Sequence, residues 1–137
     1  MTLALDSSAL LARYLDHPAR PVVLDVMAVD RDWCASALAL PECLALLSRL
    51  EDDPLQRAEL AKVLRDDWLR ITVVPVDQLC LERAATLAEA HPLRIVDAIH
   101  LAAADRLPRP VRYATFDDHQ IPVALALDFE VVSLGTP

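Results

Sequence analysis

A chain of 137 residues, 55% of them hydrophobic, has the length of one domain and enough apolar material to bury a core. Its single glycine, Gly135, excludes the glycine-rich phosphate loop, the dinucleotide-binding turn and the Gly-X-Ser-X-Gly elbow, each of which needs at least two. A formal charge of −8 disfavours simple non-specific DNA binding, but leaves room for an enzyme that meets phosphate through cations held by carboxylates, or for a basic protein partner.

In chain order, residues 2–6 read as a short apolar strand closed by an acid, and a helix follows through Leu15, with Ser7 or Ser8 as its cap. His17-Pro18 and Pro21 punctuate, a polar-apolar stretch runs to Asp32, and residues 33–36 form a second brief strand. Residues 37–50 are predicted helical, with Pro41 tolerable only in the first turn. Their buried stripe is expected to hold Leu38, Ala39, Ala45, Leu46 and Leu50. A break at 51–54 precedes another helix over 55–64, with Trp68 and Leu69 near its end.

The β-branched run 71–76 is a third strand, and Pro75 places its end near an edge or terminus. Asp77 caps a helix over 78–90 that His91-Pro92 breaks, and 94–107 is helical again. Residues 111–117 form a strand that also ends in an acid; a short helix at 121–127 and a last strand at 129–134 complete the chain. Such alternation predicts right-handed crossovers and one three-layer α/β/α domain over 1–137, with a central parallel sheet.

Cys34, Cys43 and Cys80 follow no CxxC spacing, so they are expected to be core thiols in a reducing compartment rather than zinc ligands or disulfides. No basic leader opens the chain, Asp6 interrupts the first apolar run, and no stretch approaches the roughly 18 apolar residues of a membrane span. A cytoplasmic protein with no membrane contact is expected.

In open parallel sheets, ligands bind outside the carboxyl ends of strands, where the strand order reverses. Asp6 and Asp117 stand at two such ends, although each is also suited to a cap or turn. Glu42 lies against the apolar stripe of its helix, and Asp97 sits among Ile95, Val96, Ala98 and Ile99; the alternative for both is an acid favoured by a helix N-terminus. Carboxylates are rarely buried without partners. At about 4 Å and an effective dielectric near 20, two of them repel by roughly 4 kcal/mol. Four meeting in one place call for a cation, and oxygen ligands alone select Mg²⁺ or Mn²⁺ over zinc. Such a site points to phosphoryl chemistry.

Four segments carry a resemblance to a known family, in order along nearly the whole chain. Leu5-Asp6-Ser7-Ser8-Ala9-Leu10-Leu11 resembles the opening of PIN-domain proteins, especially VapC toxins of type II toxin–antitoxin pairs. Leu40-Pro41-Glu42 is similar to the family's second acidic motif. The segment from Leu93 to Ala102, with its Arg94-x-x-Asp97-Ala98-x-His100-Leu101-Ala102 core, resembles the third and most specific block, and Ala114-Thr115-Phe116-Asp117 the fourth. The resemblance implies an acidic quartet of Asp6, Glu42, Asp97 and Asp117 that is both catalytic and metal-binding, with Thr115 and Ser7 as hydroxyl neighbours. It implies Mg²⁺- or Mn²⁺-dependent endoribonuclease activity leaving 5′-phosphate and 3′-hydroxyl ends, a homodimer, and a cognate VapB-like antitoxin that folds over the site. The chain departs from the family at Asp118, where these toxins often carry arginine.

Other residues divide between roles. Arg94 suits either phosphate steering or an ion pair, and His100 suits a packed structural histidine better than a general base. Arg57, Lys62, Arg65 and Arg70 form a modest basic patch, read as a solvated face rather than an RNA contact. Two rival functions are a non-catalytic PIN-fold binding module and a phosphatase with Asp6 as nucleophile. The second normally needs another acid where Ser8 stands.

Overall fold

The computed structural model describes residues 1–135. Five strands, β1 (Thr2–Leu5), β2 (Asp32–Ser36), β3 (Thr72–Val74), β4 (Val111–Ala114) and β5 (Glu130–Val132), form one parallel sheet in the order β3-β2-β1-β4-β5. Seven helices connect them: α1 (Ser7–Ala12), α2 (Arg20–Val29), α3 (Ala39–Leu50), α4 (Pro54–Trp68), α5 (Gln78–Ala90), α6 (Ile95–Asp105) and α7 (Ile121–Ala126).

Strand alternation sorts the core into two layers. Leu3 and Leu5 of β1, Trp33 and Ala35 of β2, and Ala114 of β4 pack with buried residues of α1 to α4. Ala4, Val74, Val111 and Tyr113 point the other way, onto α5, α6 and α7. The expected three-layer α/β/α domain is therefore present. Free Cys34, Cys43 and Cys80 are all buried, and burial pushes the Cys34 and Cys43 thiols up to about 11 and about 12. No helix among the described residues is long and apolar enough to cross a membrane.

Three local expectations are corrected. First, the stretch before Asp32 contains α2, because Pro21 falls in its first turn, where a missing N–H costs nothing, and Val23, Val26 and Met27 recur at helical spacing on its buried side. Second, α1 is capped by Asp6 instead of Ser7 or Ser8: the Asp6 carboxylate accepts from the Ala9 amide at 2.8 Å. Third, α3 begins at Ala39, and its buried stripe is Ala39, Cys43 and Leu47 at four-residue steps. Leu50 is 61% exposed. Leaving Cys43 out of the apolar pattern turned the expected stripe around the helix axis, and Glu42 in consequence lies at the margin of the buried face.

The chain leaves β1 towards β2 and β3, then returns to place β4 on the other side of β1. This reversal opens a crevice above the carboxyl ends of β1 and β4. Asp6 follows β1 directly, and residues 115–117 follow β4.

Candidate active site

Asp6 is the most enclosed of the acids. Besides the Ala9 amide, Ser8 Oγ (2.7 Å), Thr115 Oγ1 (2.7 Å) and Gln120 Nε2 (3.0 Å) donate to its carboxylate. Burial still holds the Asp6 carboxyl above its ordinary range, the hydrogen bonds from Thr115, Ala9 and Ser8 offsetting only part of the desolvation.

Asp97 lies in the first turn of α6 and is buried. Arg94, at the N-cap, binds it with both Nε and Nη2 at 3.0 Å, from a side chain that is otherwise 75% exposed. Asp117 sits in the turn after β4, where it accepts from the backbone N–H of His119 at 3.0 Å. Burial raises its carboxyl, but the hydrogen bonds from His119 and Gln120 outweigh that and hold it below the usual range.

The three aspartates meet at one atom. Nε2 of buried Gln120 stands 3.0 Å from Asp6 Oδ2, 3.2 Å from Asp97 Oδ1 and 3.3 Å from Asp117 Oδ2. Glu42, in the first turn of α3, stands to one side. It accepts from Ser7 Oγ and lies 2.8 Å from His100 Nε2, while His100 Nδ1 reaches Ser36 Oγ at 3.0 Å. Burial raises the Glu42 carboxyl, and the His100 and Ser7 contacts more than reverse this, so it stays ionised. His100 is accordingly a buried, hydrogen-bonded histidine that positions Glu42.

All four acids line one cavity of about 130 Å³, together with Ser7, Arg94, His100 and Gln120. A larger groove of about 470 Å³ shares Arg94, Asp97 and Asp117 with it and adds Pro92, Leu93 and His119. Ser7 and Thr115 are in place as hydroxyl neighbours, one on Glu42 and one on Asp6. Asp118 is exposed. Of the basic patch, Lys62 pairs with Asp66, Arg70 with Asp67, and Arg57 binds a backbone carbonyl, so these side chains are engaged locally on α4 and its flanks.

Among the described residues, no three carboxylate or imidazole groups stand ready to ligate one ion. Mg²⁺–oxygen distances are about 2.0–2.1 Å, whereas the three aspartates stand 3.0–3.3 Å from the amide nitrogen on which they converge. The chemistry of the donor set nevertheless fits a hard divalent cation: three carboxylate oxygens surround a single point that already holds the positive end of a dipole. The expected mutual repulsion is relieved here by Arg94, for which an ion pair was one of the two expected roles, and by the Gln120 amide, a contact that was not foreseen. Gln120 carried one faint sign in the sequence, a polar residue three positions after Asp117 at the head of an apolar helix.

The PIN domain family profile matches residues 3–133. Comparison with curated proteins finds no match. Among solved structures, a toxin–antitoxin complex from Klebsiella pneumoniae superposes with a TM-score of 0.69 at 16% identity, covering 96% of each chain. FitAcB from Neisseria gonorrhoeae gives 0.73 at 17% identity, covering 95% of this chain and 96% of that one. FitAB bound to an IR36 DNA fragment gives 0.70 at 19% identity, covering 96% and 94%.

Proposed function

The chain belongs to the PIN-domain family, and on that premise we propose that it is a Mg²⁺- or Mn²⁺-dependent endoribonuclease, the VapC-like toxin of a toxin–antitoxin pair. One observation carries this reading: aspartates from three separate elements turn oxygens onto a single point beside an open groove. Asp6, Asp97 and Asp117 would hold the cation, and when bound it supplies Lewis acidity towards a phosphoryl oxygen and lowers the pKa of a water.

The remaining chemistry belongs to the side chains. Glu42, kept ionised by Ser7 and His100, is the base that orients a water and accepts its proton. The Arg94 guanidinium has donors left over from its pair with Asp97 and stands at the mouth of the cavity, where it binds a phosphate of the RNA. Thr115 and Ser8 fix the rotamer of Asp6 through its oxygens. A phosphatase using Asp6 as nucleophile is disfavoured, because donors already crowd both of its oxygens.

The antitoxin reading draws support from one of the superposed structures, a toxin–antitoxin complex by name, and from an acidic cavity that suits an inserted arginine. A partner supplying that arginine competes with the divalent ion. A homodimer and a cytoplasmic location belong to the same reading.

RNA cleavage in Mg²⁺ or Mn²⁺, its loss in chelator, and 5′-phosphate ends on the products test the nuclease. Cleavage that persists in chelator overturns the metal reading. Co-expression with the product of the adjacent gene, followed by co-purification, tests the toxin assignment; a protein that binds no neighbour and is harmless when expressed alone is not a toxin.

A further inference from the structure

A carboxamide nitrogen at the focus of three carboxylates is an unusual occupant. The donors on Asp6 are instructive: the Ala9 amide reaches Oδ1, Ser8 Oγ lies 2.7 and 2.9 Å from the two oxygens, and Thr115 Oγ1 and Gln120 Nε2 reach Oδ2. Of these donors only Gln120 also reaches Asp97 and Asp117, so the position it fills is the one a ligand shared among the three acids would take. The amide has only two protons for three acceptors, and the 3.2 and 3.3 Å contacts to Asp97 and Asp117 are the longer ones. At its other end the amide is fixed by Tyr113, whose hydroxyl donates to Oε1 at 2.6 Å, with both residues buried.

We infer that Gln120 is a latch that stands in for the cation, holding the metal-free aspartates together and yielding its place when a divalent ion binds, with Tyr113 setting how firmly the latch is closed. This rests on the reading of Asp6, Asp97 and Asp117 as a metal site. The positive end of the amide and a cation cannot share one point, so ion binding requires the amide to withdraw or turn over. Affinity is then reduced by the fraction of molecules in which the latch is open. A latch closed nine-tenths of the time weakens the measured affinity about tenfold. The neutral amide stabilises the metal-free cluster without adding a charge that would have to be expelled, so the site stays folded when empty and exchangeable when filled.

The test is a Mn²⁺ titration of the purified protein by calorimetry, with wild type, Gln120→Ala and Tyr113→Phe compared, alongside thermal melts in chelator and in saturating Mn²⁺. Gln120→Ala is expected to melt lower than wild type in chelator and to bind Mn²⁺ about tenfold more tightly, so that the melting gap narrows when metal is added. Tyr113→Phe touches no aspartate, frees the amide at its far end, and is expected to tighten Mn²⁺ binding about threefold. A purely structural glutamine moves the chelator melt but leaves both affinities unchanged, and that result overturns the latch. Weaker binding by Gln120→Ala also overturns it, since the amide would then be assisting the ion. If Gln120→Ala does not fold, Tyr113→Phe decides. Should none of the three bind Mn²⁺, the metal site itself is refuted and the latch with it.

Discussion

Two acidic centres stand on opposite terms with their surroundings. On the α1–α4 layer, the single carboxylate of Asp67 accepts from Tyr14 Oη (2.7 Å), Arg13 Nε (3.1 Å) and Arg70. Both guanidiniums also lie over the Trp33 ring, at 5.5 and 4.8 Å from its centroid. One negative charge there meets two positive ones. Above the carboxyl ends of β1 and β4, three aspartates share one exposed guanidinium, the exposed His119 imidazole at 3.2 Å from Asp117 and one neutral amide. A buried acid whose countercharge comes entirely from its own chain ties the structure together; a cluster left in deficit is suited to a ligand that brings the missing charge.

The largest expected contrast is in activity. Asp97→Asn removes a ligand charge at nearly constant shape, and RNA cleavage is expected to fall by roughly 10²–10³-fold or more, with the fold retained by circular dichroism. Asp67→Asn, assayed well below its melting temperature, is expected to cleave at close to the wild-type rate. Loss of cleavage in folded Asp67→Asn would erase the distinction between the two clusters.

Stability should reverse the order. Asp67→Ala strands two guanidiniums and the buried Tyr14 hydroxyl, and is expected to cost about 3 kcal/mol in a denaturant melt. Asp97→Asn leaves Arg94 in solvent and relieves repulsion, so its effect in chelator is expected to stay within about 1 kcal/mol. If Asp97→Asn proves the costlier change, Asp97 is a structural acid.

The smallest effect is in acid. Burial raises the Asp67 carboxyl, but hydrogen bonds from Tyr14, Arg70 and Arg13 outweigh it and hold the folded-state value below the ordinary 3.8. A depressed carboxyl contributes stability that is fully present above the ordinary value and is lost as pH falls through the folded-state value. Melts between about pH 5 and pH 2 should therefore fall less steeply for Asp67→Asn than for wild type. Equal slopes would mean that other carboxylates dominate acid unfolding.

Much of the fold was legible because its cues are local. Asp77 followed by a regular apolar pattern and closed by His91-Pro92 defines α5, and the structure places it at Gln78–Ala90 as expected. Helix α2 was hidden because prolines at 18 and 21 look like interruptions until one of them is seen to fall in a first turn. The acids of the site could be found because Asp6 and Asp117 close strand-like runs and Glu42 and Asp97 break apolar contexts. Gln120 could not, since its meaning depends on Asp6 and Asp97, 114 and 23 residues away, rather than on its neighbours. Asp67 was equally opaque: beside Asp66 on a strongly charged helix it reads as solvated, and Arg13 and Tyr14 lie 54 and 53 residues away in the chain.

Trp33, with the Arg13 and Arg70 guanidiniums over its ring, has its indole N–H bonded to the Asp30 and Met27 carbonyls, and Trp68 packs in the same layer. These are the only two tryptophans in the sequence. Indole emission therefore watches one side of the sheet, while the side built from α5, α6 and α7 has Tyr113 as its phenol and no indole. Fluorescence follows the loosening of a single layer, whereas far-ultraviolet dichroism sums the helices of both. Coincident transitions by the two probes mean that the layers melt as one cooperative unit; an earlier loss of ellipticity, with emission unchanged, marks the α5–α7 side as the first to open.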